Sequence, residues 1–89
     1  MRAVVTVIGN DKTGIIYNVS KIMWESNANI EDINQTIMQG IFTMVMLVDV
    51  STLSCDYSEL KKQLDDLGRA LDMTIRIQHE DIFNAMHSI

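Results

Sequence analysis

Residues 9–16 read Gly9-Asn10-Asp11-Lys12-Thr13-Gly14-Ile15-Ile16, a polar loop bounded by two glycines and carrying one carboxylate and one ammonium. Before it, Arg2-Ala3-Val4-Val5-Thr6-Val7-Ile8 is a β-rich apolar run. After it, Ile15, Ile16, Val19, Ile22 and Met23 recur at the spacing of one helix face. The loop therefore opens a helix, and a helix start leaves about four backbone N–H groups without intrahelical partners. Those groups and the helix dipole attract an anion, while Asp11 attracts a cation. A free amino acid carries both charges close together, so this loop has the chemistry to hold a zwitterion. Asp11 has a second use in such loops, capping the helix or bonding its own turn. The residue types do not choose between the two.

The other reactive side chains form no comparable constellation. Cys55 stands just before a helix start, and an inert packed thiol is the simpler reading. His79 and His87 lie near Glu80 and Asp81 but lack a second pair at ligand spacing, so no metal site is assigned. No Ser–His or Cys–His arrangement can be built, and the seven methionines read as core filling and an initiator. The expectation is a chain without catalytic residues, metal or cofactor. Asn29 either ends the first helix or offers an amide to a ligand.

Six elements in two similar halves must position the loop. Strands are expected near 2–8, 29–38, 41–50 and 73–79, with helices near 14–26 and from Asp56 onward. Gln39-Gly40 reads as a tight hairpin turn, since glycine tolerates positive φ. The third strand is the strongest, with Phe42, Met44, Met46, Val48 and Val50 on one face and Ile41, Thr43, Val45 and Leu47 on the other. Asp56 with Glu59 reads as a capping box. Leu60, Leu64, Leu67 and Leu71 form the buried stripe of helix two, whose last turn Gly68 is expected to weaken. A short helix near 81–88 presents Ile82, Phe83 and Met86.

This order is βαββαβ, an α+β ferredoxin-like sandwich. Right-handed crossovers place two helices on one face of a four-stranded antiparallel sheet, with strands one and three central. The helix-free face is partly apolar, so a terminal helix or another subunit is expected to cover it. Tyr17 and Trp24 fall together on the outward side of helix one and mark a second interface. Residues 1–89 form one domain with a small core, for which homodimerisation or higher association is a natural supplement. A net charge of −5 argues against a nucleic-acid partner. No apolar run is long enough to span a membrane, and a strand beginning at once leaves no room for a signal peptide. One cysteine cannot form an internal disulfide, which fits a cytoplasmic location.

Function on this fold must be argued from sites. An acylphosphatase-like enzyme wants an arginine in the first loop, where only Lys12 stands. A metal chaperone wants paired cysteines there, and an RNA-recognition domain wants aromatics on its open sheet face, where Phe42 is not expected. The residues Asp11-Lys12-Thr13-Gly14-Ile15, followed by Asn29-Ile30 opening strand two, resemble the ACT-domain family, small βαββαβ modules that bind amino acids and similar molecules to regulate metabolism. The likeness extends to about residue 79, and most resembles small stand-alone bacterial ACT proteins. Thr13 replaces a common proline, and Gly9 stands where some members carry a side-chain donor. The resemblance implies a non-enzymatic regulatory domain whose subunits join side by side, with ligand between the first loop of one and strand two of the other. Carried over, Asn10 and Asp11 would meet the ligand amine. The backbone around Thr13, Gly14 and Ile15, beside Lys12, would hold its carboxylate, and Asn29, beside Ile30, would add an amide. The alternative is a ligand-free dimerising interaction module.

Overall fold

The computed structural model describes residues 1–87, apart from the side chains of Met86 and His87. The elements run β1 (Arg2–Asn10), α1 (Ile15–Glu25), β2 (Asn29–Met38), β3 (Ile41–Asp49), α2 (Tyr57–Leu71), β4 (Met73–His79) and α3 (Glu80–His87). One four-stranded sheet has the order β2-β3-β1-β4, and each neighbouring pair is antiparallel. Because β1 and β2 both run against β3, they are parallel to each other, and α1 is the crossover between them. This is the expected ferredoxin-like βαββαβ architecture.

Strand register sorts the side chains. Val5 lies beside Met46 and Ile77, and Val7 beside Met44 and Ile75, all buried on one face. Ile15, Val19 and Met23 of α1, with Leu60 and Leu64 of α2, close that face into a single core. The opposite face keeps Ile8, Ile41 and Val45 exposed. The hairpin turn has positive φ at both Gln39 (53°) and Gly40 (81°), as expected for residues 39–40.

Four local expectations change. Asn27 (φ 58°), not Asn29, ends α1, and its side-chain amide donates to the Thr52 carbonyl at 2.8 Å. Gly68 is no weak point: α2 runs on to Leu71, and a Cβ on Gly68 would lie 2.8 Å from the Met73 carbonyl oxygen. Glycine there lets the helix lie directly on the β4 backbone. Asp56 does start α2, but its side chain makes no cap bond, so the capping box does not form. Finally, α3 begins one residue earlier, where Glu80 takes a two-pronged ion pair from Arg2 at 2.6 and 2.7 Å. That helix packs against β1 and β4 with Phe83 half-buried, while Ile82 stays exposed. The expected docking of this segment is thus partial, and the Met86 side chain lies outside the described residues.

Candidate functional site

The first loop is held at both flanks. The Asp11 N–H donates to the Gly40 carbonyl at 2.8 Å, pinning the loop to the β2–β3 turn. On the other side the Lys12 ammonium donates to the Leu71 carbonyl at the end of α2. A cation there satisfies a terminal carbonyl and complements the negative end of the helix dipole. Lys12 is therefore a latch between loop and helix. Gly14 sits at the start of α1 with φ 87°, a conformation in which a Cβ is strained.

No side-chain bond caps α1, and its first turn holds no acidic residue. Asp11 is thus not the cap of this helix. Its exposed carboxylate has no hydrogen-bond or ion-pair partner among the described residues. The Gly14 carbonyl is satisfied by Asn18, through the backbone N–H at 3.0 Å and the side-chain amide at 2.7 Å.

A groove of about 250 Å³ opens there. Asp11, Lys12 and Gly14 line it from the loop, Ile15, Ile16 and Tyr17 from α1, and Gln35, Ile37 and Phe42 from the sheet. Asn10 is not among them. It lines a separate groove of about 530 Å³ with Arg69, Asp72 and Thr74. Two residues adjacent in sequence thus serve opposite sides of one loop, because Asn10 still belongs to β1 and alternates out of the core. Thr13 is exposed in the turn. A Cβ on Gly9 would come within 2.9 Å of the Met73 side chain, so Met73 fills the space that a side-chain donor would need.

Asn29 and Ile30 are not brought to this groove within one chain. Asn29 pairs with Asp49 at the far end of the sheet, beyond Ile30, while Ile37 pairs with Phe42 at the near end. The separation along β2 is about 26 Å at the usual rise per residue. Tyr17 and Trp24 are 67% and 80% exposed, and the shared groove places Tyr17 on the β2 side of α1. Gln35, Ile37 and Phe42 were not anticipated as lining residues. The signal for them was the spacing of Ile33, Gln35 and Ile37, which share one face of β2. Elsewhere the His79 ring stacks on Tyr57 at 4.6 Å and Cys55 packs against the core, so both have structural roles. No cluster of metal-ligating side chains occurs among the described residues, and none of their helices is long and apolar enough to cross a membrane.

Comparison with known proteins places this geometry. The ACT domain family model matches residues 2–78. A UPF0237 protein of Methanocaldococcus jannaschii is 52% identical over 88 residues, 99% of this chain and 98% of that one. An ACT domain protein from Streptococcus pneumoniae superposes with TM-score 0.79 at 37% identity, covering 93% of each chain. The regulatory subunit of aspartate kinase from Thermus thermophilus shares the fold, with TM-score 0.67 at 18% identity over 86% of this chain and 50% of that one. The chain belongs to the ACT-domain family, a family of regulatory, ligand-binding modules.

Proposed function

We propose that this protein is a non-enzymatic sensor that binds an amino acid or a similar zwitterion between two copies of itself. The observation that carries this reading is the uncapped start of α1, which opens on a groove with the unpartnered Asp11 carboxylate at its mouth. Asp11 takes the ligand ammonium, and the N–H groups around Thr13, Gly14 and Ile15 take its carboxylate. Lys12, bound to α2, fixes the loop.

The second copy supplies what one chain lacks. β2 is an edge strand of ten residues whose protections, Glu31, Asp32 and an irregularity between Ile30 and Asp32, lie toward its start, which leaves Ile33 to Met38 without proline or charge. Antiparallel pairing of two such edges sets the Asn29–Ile30 end of one copy beside the Ile37 end of the other. It also covers Ile33, Ile37, Tyr17 and Trp24, which are otherwise exposed. The exposure of Trp24 equally suits a ligand-free interaction module, and ligand binding separates the two readings.

A ligand that binds only the folded state adds about 2.7 kcal/mol of stability at a hundredfold excess over its Kd. In a domain of this size that raises Tm by on the order of 10 °C. One or a few amino acids at millimolar concentration are expected to produce such a shift. Asp11→Ala keeps fold and association but abolishes the response, and Asp11→Asn is intermediate, because an amide still accepts a hydrogen bond. If no amino acid shifts the wild type, the interaction module is the correct reading. If Asp11→Ala unfolds the protein, Asp11 is a structural residue and its assignment to the ligand fails.

A further inference from the structure

We infer that two copies pair their β2 strands in a single register, with Gln35 facing Gln35 on the two-fold axis and Ile33 facing Ile37, and that pairing displaces the Asp32 carboxylate from the Ile33 N–H. This rests on the side-by-side association proposed above and specifies it. The ladder between β1 and β3 tells which way each backbone group points. The Asp11 N–H bonds the Gly40 carbonyl at 2.8 Å, and at the other end the Val50 N–H bonds the Met1 carbonyl at 2.9 Å. Both bonds continue the β1–β3 register, so its hydrogen-bonded pairs join odd-numbered residues of β1 to even-numbered residues of β3. The odd-numbered residues of β3 then bond β2, through Asp32, Asn34, Thr36 and Met38. Ile33, Gln35 and Ile37 are left with N–H and C=O groups aimed outward from the sheet. An independent contact agrees, for the outward Ile33 N–H is taken up by the Asp32 carboxylate at 2.9 Å.

The irregularity between Ile30 and Asp32 sets where a regular ladder can begin, so the unbroken edge runs from Asp32 to Met38 and is centred on Gln35. Pairing two such segments about that centre matches Ile33 with Ile37 and Gln35 with itself, each pair exchanging both N–H···O bonds. The side-chain amide of Gln35 donates and accepts, so two of them are self-complementary. A centre at Asn34 would set Ile37 against Glu31, and a centre at Ile33 would run the ladder across the irregularity. With Gln35 central, Asp32 faces Met38 and the acids of the two copies stay apart. Ile33 and Gln35 of the facing copy then extend the wall that Gln35 and Ile37 form in the first groove. Asp32 acts as the guard of this edge, because an N–H already bonded gains little from a second acceptor.

The test is disulfide trapping between full-length copies, with Cys55→Ser in every variant so that no other thiol reports. A facing pair has Cα atoms about 5.5 Å apart, within reach of a disulfide. Gln35→Cys alone should cross-link under mild oxidation, and so should a mixture of Ile33→Cys with Ile37→Cys. Ile33→Cys alone should not, since its two copies would stand about 13 Å apart along the strands. Ready cross-linking of Ile33→Cys alone, or none of Gln35→Cys in a protein that sediments as a dimer, overturns the register while leaving the association standing. A wild type that sediments as a monomer removes the association itself. For the guard, Asp32→Ala should tighten association about threefold or more, the scale of one hydrogen bond freed. Asp32→Asn loses the same charge but keeps an acceptor for the Ile33 N–H, and should tighten it less. Equal effects of the two substitutions contradict the displacement of Asp32.

Discussion

Met46 on β3 and Ile33 on β2 are cross-strand partners on the same face of the sheet, yet Met46 is 0% exposed and Ile33 is 40% exposed. The difference lies in what stands above them. The buried side chains of β1, β3 and β4 share one core with those of α1 and α2, and α2 lies along β4. β2 touches α1, yet every residue along it is exposed except the half-buried Ile30. The inner strands are thus buried on their helix-bearing face within a single chain, while β2 carries Ile33 and Ile37 at core spacing but exposed. Burial of apolar surface is the main favourable term in both folding and association. The covered half therefore carries most of the stability of the single chain, and the exposed half is the part to which the proposed association is assigned.

The largest effect should come from truncating the covered member of this pair. Met46→Ala leaves a cavity among Val5, Ile33 and their neighbours and should cost about 2–5 kcal/mol in chemical denaturation. Ile33→Ala, measured at concentrations where the chain is monomeric, should cost less than about 1 kcal/mol. Equal losses at the two positions would erase the contrast between the halves.

Association should show the reverse order. Ile33→Lys places a charge on the bare strip, and Trp24→Glu does the same beside it on α1. Each should weaken self-association at least about tenfold in sedimentation equilibrium while the far-ultraviolet circular dichroism stays native. Undiminished association of both variants would move the interface away from β2 and α1.

The smallest effect concerns acid stability at the closed end of the sheet. The Ser51 hydroxyl, and then the Ser51 backbone N–H at 2.9 Å, hold the Asp49 carboxyl below the usual carboxylate range. A carboxyl whose pKa is depressed on folding stabilises the native state above its unfolded pKa, near 3.9, and loses that contribution as pH falls through the folded value. Wild-type Tm should thus fall more steeply than that of Asp49→Asn below about pH 4. Parallel curves for the two proteins would show that the Ser51 contacts do not stabilise the charged form.

The two periodicities made most of the architecture readable. Alternation along residues 41–50 and helical spacing from Ile15 to Met23 placed β3 and α1 to within a residue or so. The order of elements then allowed few topologies. The same spacing showed that Tyr17 and Trp24 fall outside the core. It did not show that β2 stays exposed along nearly its whole length, because periodicity tells which side of an element is apolar and not what lies opposite. The site was legible only in part for a related reason. Asp11 and Gly14 sit in one short loop whose chemistry is local, whereas Gln35, Ile37 and Phe42 reach it through strand pairing.

The sequence by itself therefore determined the elements, their order, the apolar face of each and the zwitterion-like loop at the start of α1, since these depend on residues within a few positions of one another. Tertiary structure alone decided that Lys12 binds the end of α2, that Asn10 and Asp11 part to opposite sides of the loop, and that Gly68 is needed against Met73. It also set Asn29 at the far end of β2 from the groove. Each of these rests on contacts between separate elements, and such contacts are set by how helices and strands pack, which no short window of sequence contains.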